Sequence, residues 1–179
     1  AGDIEIQMKL YSPSTIQDIR ERYDFKLSKS LGQNFITDRN VIEKIVEGAQ
    51  IGPDDLVIEI GPGIGVLTAA AAEQAARVVA IEIDSKLIPI LSETLAGYDN
   101  IRIVNQDVLK TDINGIIDEE RSAGTFTGKV KILGNLPYYI TTPIIMGILE
   151  NGTEAESITI MMQKEVADRI KAAPGGKTY

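Results

Sequence analysis

A glycine-rich turn between two apolar segments constrains this chain more than any other feature. Leu56–Ile60 is apolar and β-branched, which predicts a buried strand. Residues 66–73 predict a helix, because alanine is the best helix former. Between them, Gly61, Gly63 and Gly65 permit positive φ angles and a close approach of a ligand to the backbone. The free N–H groups at the start of the following helix favour the anionic or polar end of a nucleoside cofactor.

The composition narrows the chemistry that the chain can perform. Its 179 residues, 44% hydrophobic and 25% charged, predict one ordinary globular domain. No apolar run approaches the roughly 20 residues of a membrane span, and we expect no signal peptide and a cytoplasmic location. The sequence has no Cys and no His, which excludes disulfides, the usual zinc sites and a histidine base. We therefore expect no metal, and chemistry from carboxylates, amides, hydroxyls, backbone groups or a cofactor.

The charge is unevenly distributed along the chain. The formal net charge of −8 argues against a nucleic-acid partner. Residues 9–44, however, hold seven basic and five acidic side chains, a net charge of +2. A mildly basic edge on an acidic body is weak support for phosphate contacts, and charge alone favours a solvated helix face.

The hydrophobic periodicity alternates between strands and helices. Strands are predicted at residues 56–60, 77–83, 101–105, 130–134 and 157–162. Helices are predicted at residues 15–23, from a cap at Asp38 to Ala49, at 66–73, at 87–95 with a cap at Ser85, at 144–150 and at 164–173. The stretch from Asp107 to Gly128 is predicted to be irregular and partly helical. This alternation predicts an α/β fold with a mostly parallel sheet and helices on both faces. Ligands of such folds bind outside the carboxyl ends of the strands.

The spacing of the glycines distinguishes two classes of cofactor. A dinucleotide fingerprint needs a third glycine where Val66 stands. The pattern here is instead acidic-x-G-x-G-x-G, starting at Glu59, which is typical of domains that bind S-adenosylmethionine (SAM). A tight turn without a ligand is the alternative interpretation.

Two carboxylates follow the next two strands. Glu82 can accept hydrogen bonds from both ribose hydroxyls of an adenosine, and Ile83 can pack on the adenine. Asp107 can accept the hydrogen of an adenine amine, while a backbone N–H at Val108 serves a ring nitrogen. The alternatives are an exposed carboxylate at a strand end for Glu82 and an Asx turn for Asp107.

The stretch Asn135-Leu136-Pro137-Tyr138 follows the fourth predicted strand. The lone pair of adenine N6 is delocalised into the ring, so this amine is a poor nucleophile. The Asn135 side-chain oxygen and the Leu136 carbonyl can bind its two hydrogens and favour the pyramidal, reactive form. Pro137 stiffens the turn, and Tyr138 can stack on the presented base. A Pro-Tyr turn that packs on the core is the alternative.

These motifs together resemble the ribosomal RNA adenine N6-dimethyltransferases of the KsgA type, over about residues 27–179. The resemblance implies a Rossmann-like SAM-dependent methyltransferase fold, with S-adenosylhomocysteine as the product. Residues 29–36 look like the family's loop over the methionine part of SAM, which implies contacts from Gln33, Asn34 and Ile36. Ile36 stands where leucine is usual. The family also implies cofactor roles for Glu59, Gly61, Gly63, Gly65, Glu82, Ile83, Asp107, Val108 and Asn135.

The substrate implied by the family is small-subunit ribosomal RNA. Antibiotic-resistance methylases of the large subunit more often carry Asn-Ile-Pro-Tyr, whereas Leu136 and the following Thr141-Thr142-Pro143 look like the small-subunit branch. That branch implies dimethylation of two adjacent adenines in a hairpin near the 3′ end. A large-subunit methylase, a non-catalytic rRNA-binding assembly factor and a nicotinamide dehydrogenase are the alternatives, and Val66 opposes the last.

The resemblance also predicts the domain organisation. Residues 1–37 are expected to form an N-terminal helix and a cofactor-covering loop, and residues 38–179 an incomplete SAM-binding catalytic domain. The family's closing β-hairpin and C-terminal helical domain are expected to be absent, and the protein is expected to be a monomer.

Overall fold

A computed structural model of the protein describes residues 39–136 and 138–162. Five strands form one sheet: β1 (Leu56–Ile60), β2 (Arg77–Ile81), β3 (Ile101–Val104), β4 (Val130–Leu136) and β5 (Ser157–Met162). Their order is β3-β2-β1-β4-β5, and all neighbours are parallel. The helices are α1 (Arg39–Ala49), α2 (Val66–Gln74), α3 (Ile88–Thr94), α4 (Ile113–Ser122) and α5 (Tyr138–Glu150). The predicted α/β class with a parallel sheet is confirmed.

Both faces of the sheet are covered by helices, as predicted. On one face, α1, α2 and α3 pack over Val57, Val78 and Leu133. On the other, α4 and α5 pack over a second core that includes Ile58 and Ile132. Because both faces are buried, the strands read as continuous apolar runs.

The strand order reverses at β1, and this reversal positions the site. β1 pairs with β2 on one side and with β4 on the other, in a register that sets Ile60 opposite both Ile81 and Gly134. The turn after β1 therefore lies between the residues that follow Ile81 and Gly134. A crevice at such a switch point is where doubly wound folds bind ligands.

Helix α5 begins six residues earlier than predicted, at Tyr138 instead of Ile144. Pro143 cannot donate a helix hydrogen bond, which is why the sequence suggested a later start. The helix nevertheless continues across Pro143, since Ile144 and Ile148 on one of its faces are buried in the core. Tertiary packing outweighs the local cost of the proline.

The predicted cap at Ser85 is wrong. Residues 85–87 form a short 3₁₀ helix before α3, and its cap is Asp84, whose side chain accepts a hydrogen bond of 3.0 Å from the Lys86 N–H. Predicted strand two also ends earlier, at Ile81, so that Glu82 and Ile83 follow the strand.

Several predictions fall outside the described residues. These are the segment 1–37 with its helix 15–23 and its loop residues Gln33, Asn34 and Ile36, the Asp38 cap, Pro137, the Tyr138 side chain and the helix 164–173. Among the described helices, none is long and apolar enough to cross a bilayer.

Candidate cofactor and active site

A cleft with a volume of about 270 Å³ opens at the carboxyl ends of the strands. Eight of the residues predicted for the site line it together: Gly61, Gly63, Glu82, Ile83, Asp107, Val108, Asn135 and Leu136. They come from the ends of four different strands, because the carboxyl ends of parallel strands meet at one edge of the sheet.

The glycine turn forms the floor of the cleft. The φ angles are 71° at Gly61, 62° at Gly63 and 93° at Gly65. Residues other than glycine rarely adopt this left-handed backbone conformation. A Cβ atom on Gly61 would also lie only 3.3 Å from Cδ2 of Leu136. The Gly65 N–H donates to the Pro62 carbonyl at 2.9 Å, and α2 begins directly afterwards. The three glycines thus permit a turn that other residues would strain.

Glu82 connects the end of β2 to this turn. One carboxylate oxygen accepts from the Asp84 N–H at 2.9 Å, and the other lies 3.4 Å from the Gly63 N–H. The side chain is only 5% exposed, and its burial raises its pKa above the ordinary value, although the backbone donors oppose this shift. Glu82 therefore presents a largely desolvated carboxyl group to the cleft.

Glu59 lies behind the glycine turn. It is 1% exposed, and its carboxylate accepts a hydrogen bond from the hydroxyl of Thr68 in α2. Burial raises the pKa of Glu59 to about 7, the Thr68 bond lowers it, and repulsion from Glu82 raises it further. Of the described residues predicted to touch the cofactor, Glu59 and Gly65 are the two outside the lining of the cleft. Their cofactor contacts stay predictions.

The residues after β2 and β3 add exposed apolar side chains and further carboxylates, among them Asp107, to the lining of the cleft. Ile83 and Leu109 line the cleft and are each 56% exposed, an unusual exposure for large aliphatic side chains. The Asp107 side chain accepts from the Leu109 N–H at 3.0 Å and caps the 3₁₀ helix Val108–Lys110. This is the Asx-type turn of the alternative interpretation, and it engages one of the two carboxylate oxygens.

The end of β4 forms the opposite side. Asn135 and Leu136 are the last two residues of the strand, and both line the cleft. The Asn135 carbonyl lies 3.8 Å from the position of a Cβ on Gly61, so the strand end and the glycine turn are in contact. Tyr139, in the first turn of α5, also lines the cleft and is exposed.

Sequence reasoning missed two residues that hold the site together. The Asn105 side chain donates to the carbonyls of Glu82 at 2.8 Å and Ile83 at 3.3 Å, which fixes the backbone after β2. Thr68 is the donor to Glu59. A signal was present for Thr68: it is the one hydroxyl in an otherwise apolar helix start, opposite a strand that carries a buried glutamate.

The lining fits a nucleoside. Glu82 offers carboxyl oxygens to hydroxyl groups, Ile83 and Leu109 offer apolar surface to a base, and the glycine turn leaves room for close approach. Within residues 39–136 and 138–162, no three histidine, cysteine or carboxylate side chains gather in a way that could hold a metal ion.

Comparison with known proteins decides the family. The profile of the family described as "Ribosomal RNA adenine dimethylase" matches residues 24–179. The chain belongs to this family. The resemblance seen in the sequence motifs is therefore confirmed.

A curated member of the family covers most of this chain. Ribosomal RNA small subunit methyltransferase A of Alkaliphilus metalliredigens is 57% identical over 172 residues, which are 96% of this chain and 58% of the relative. The chain thus spans a little under three fifths of the length of the curated family members it matches.

Two solved structures of similar proteins share the fold. The 23S rRNA methyltransferase ErmE is 34% identical with a TM-score of 0.57, over 76% of this chain and 50% of ErmE. A dimethyladenosine transferase from Plasmodium falciparum is 28% identical with a TM-score of 0.57, over 80% of this chain and 46% of that chain. The predicted Rossmann-like methyltransferase fold is confirmed.

Proposed function

We propose that this chain binds SAM in the cleft and transfers methyl groups to adenine N6 of small-subunit ribosomal RNA. Each of two adjacent adenines near the 3′ end would be dimethylated during ribosome biogenesis, in the cytoplasm, by a monomeric enzyme. The observation that carries the proposal is the meeting of the glycine turn, Glu82 and Asn135 around one cleft. Family membership supports the reaction class.

Different residues of the cleft contact different parts of the cofactor. Glu82 accepts the ribose hydroxyls, Ile83 and Val108 enclose the adenine, and Asp107 accepts its amine hydrogen with the oxygen not committed to the 3₁₀ cap. The polar end of the cofactor faces Gly61 and Gly63. Gln33, Asn34 and Ile36 complete this end from the loop 29–36. When bound, SAM supplies a methyl group on a positively charged sulfur, which is an electrophile.

The end of β4 holds the nucleophile. The target adenine leaves its stack at a cost of roughly a few kcal/mol and enters the cleft. The Asn135 side-chain oxygen and the Leu136 carbonyl accept the two N6 hydrogens, and Tyr138 covers one face of the base. Catalysis then rests on positioning and electrostatics. The methylated amine loses its proton to water, which agrees with a sequence that contains no histidine.

Calorimetry separates the proposed cofactor from the nicotinamide alternative. We expect S-adenosylhomocysteine to bind the chain and NAD to give no heat, because Val66 replaces the third glycine of a dinucleotide fingerprint. Binding of NAD in preference to S-adenosylhomocysteine would reject the proposal.

Methyl transfer tests the role of Asn135 and the substrate. A full-length family member is incubated with radiolabelled SAM and with free small or large ribosomal subunits. The wild type is compared with a variant that has alanine in place of the asparagine corresponding to Asn135. We expect label on small subunits only, and the variant should transfer at least about a hundredfold less label than the wild type. Affinity for S-adenosylhomocysteine should change little. No transfer by the wild type would favour an assembly factor, and label on large subunits would favour a large-subunit methylase.

A further inference from the structure

The glycine turn, residues 61–65, is supported from the side that faces away from the cleft. Gly61 and Gly63 line the cleft, whereas Ile64 and Gly65 lie against the end of α3. There the hydroxyl of Thr94 donates to the Ile64 carbonyl at 2.8 Å. Thr94 is 9% exposed and Ile64 is 2% exposed, so this bond is shielded from water. A second acceptor for the same hydroxyl, the Leu91 carbonyl, is farther away at 3.5 Å.

The Ile64 carbonyl needs this partner. The Ala69 N–H donates to the Gly65 carbonyl at 2.9 Å as α2 begins, so the carbonyl of Ile64 precedes the hydrogen-bond ladder of the helix. A buried carbonyl that loses its donor carries the full cost of desolvation. The turn would then have to shift to find another donor.

The packing around the bond leaves little freedom for such a shift without a cost to the cleft. A Cβ atom on Gly65 would lie 3.0 Å from Cδ2 of Leu95 and 3.2 Å from the Thr94 hydroxyl. The opposite side of the turn meets Glu82, whose carboxylate lies 3.4 Å from the Gly63 N–H. A movement of Ile64 is therefore passed on to the residues that line the cleft.

We propose that Thr94 is a positioning residue for the methyl donor. Its hydroxyl fixes the Ile64 carbonyl and thereby holds the glycine turn in the conformation that receives the cofactor. Thr94 is not among the residues that line the cleft, so it acts through the turn. The inference rests on the proposed function, because it takes the cleft to be the SAM site.

The test compares three substitutions at Thr94 by calorimetry with S-adenosylhomocysteine. Thr94→Val keeps the shape of the side chain and removes the hydroxyl, and Thr94→Ala removes it without adding bulk beside Gly65. Both should raise the dissociation constant about tenfold, a typical consequence of one buried polar group left without its partner. Thr94→Ser keeps the hydroxyl and should restore binding to within about twofold. The melting temperature of each ligand-free variant identifies those that are folded.

Ser92→Ala is the matched control on the same helix. The Ser92 hydroxyl donates to the Ile88 carbonyl at 3.0 Å within α3 and is exposed, so its loss should leave affinity unchanged. Folded Thr94→Val or Thr94→Ala protein that binds as tightly as the wild type would show a purely structural role and overturn the inference. Weak binding by Thr94→Ser would also overturn it, because the hydroxyl would not be the cause. Absence of binding by the wild type would reject the proposed function, and this inference with it.

Discussion

Among the carboxylates that the structure describes, Glu59 has the environment that departs furthest from an ordinary one. It stands in the central strand of the sheet, buried on all sides, with the Thr68 hydroxyl as its hydrogen-bond donor. Its pKa rises from 4.5 to about 7, chiefly because of burial. The Thr68 hydrogen bond lowers the pKa, and repulsion from Glu82 raises it. The folded protein therefore holds a proton at Glu59 under conditions in which the unfolded chain has lost it.

This environment predicts a pH dependence of stability. Between about pH 4.5 and 7 the folded state binds more protons at Glu59 than the unfolded state, so the free energy of unfolding falls as the pH rises. Glu59→Gln should remove this part of the slope, at most about 3 kcal/mol across the interval. Urea unfolding at several pH values measures it. The exposed Glu47→Gln is the control, and equal slopes for wild type and Glu59→Gln would contradict the assigned pKa.

Asp107 shows how far single residues can be interpreted from sequence. Both a ligand contact and an Asx turn were predicted for it, and the turn is present. A carboxylate has two oxygens, so the turn does not occupy the whole group. The sequence alone could not assign the two oxygens, because their partners depend on the backbone path after β3.

At the scale of elements, β4 and the glycine turn are fitted to each other through Leu136. Its two methyl groups lie 3.1 Å and 3.3 Å from the positions that Cβ atoms would take on Gly134 and Gly61. A side chain at either glycine would displace the leucine whose carbonyl is proposed to receive the target amine. Both glycines are therefore needed for space, and Gly61 is needed for its positive φ angle as well.

A double-mutant cycle measures this fit. Gly134→Ala should destabilise the protein by about 1–3 kcal/mol through overpacking, and Leu136→Ala by about 2–5 kcal/mol through a cavity. The double variant should lose less than the sum, by about 1 kcal/mol or more, since the smaller residue 136 accommodates the new methyl group. The measurement is the free energy of unfolding in urea. Gly147→Ala, in α5 with nothing within 4 Å of its Cβ position, is the control. Strict additivity would contradict the contact.

Glu120 links α4 to β2 and β3 by ion pairs, near the ends of these strands that lie away from the cleft. Its carboxylate lies 3.0 Å from Nε of Arg77 in β2 and 3.2 Å from Nη1 of Arg102 in β3, and the Thr125 hydroxyl donates to it at 2.7 Å. Glu120→Ala should reduce the free energy of unfolding by about 2 kcal/mol or more, because the partly buried guanidinium group of Arg77 loses its ion pair and Arg102 keeps only its pair with the exposed Glu119. Glu154→Ala, which breaks an exposed ion pair with Arg121, should have no measurable effect. Equal effects of the two variants in urea unfolding would show that the Glu120 network adds nothing.

Most elements follow closely from the sequence, but α4 was predicted only as part of an irregular, partly helical stretch, and other predictions failed where local signals conflict. The strands were predicted from their apolar runs because helices on both faces bury nearly every position of the central strands β1, β2 and β4. The start of α5 was not, because Pro143 signals a break that the buried Ile144 and Ile148 override. The cap at Asp84 was missed because Ser85 is an equally good candidate in local sequence.

At the scale of the whole molecule, the sequence predicted most of the residues that line the cleft. It predicted fewer of the hydrogen bonds that hold those residues in place. The cleft residues follow from one rule, since each stands after a parallel strand and the strand ends meet. Thr68, Thr94 and Asn105 support that cleft through partners 9, 30 and 23 residues away in the chain. No local pattern marks such contacts, because they depend on how helices and strand ends are docked.

Ligand-dependent melting tests most directly whether the cleft of the whole molecule is the SAM site. A ligand that binds only the folded state raises the melting temperature with its concentration. S-adenosylhomocysteine should therefore raise the melting temperature of the wild type progressively, and Glu82→Ala should need at least about tenfold more ligand for the same rise, since it removes the proposed ribose acceptor. No rise for the wild type, or an identical rise for both proteins, would contradict the binding of SAM in this cleft.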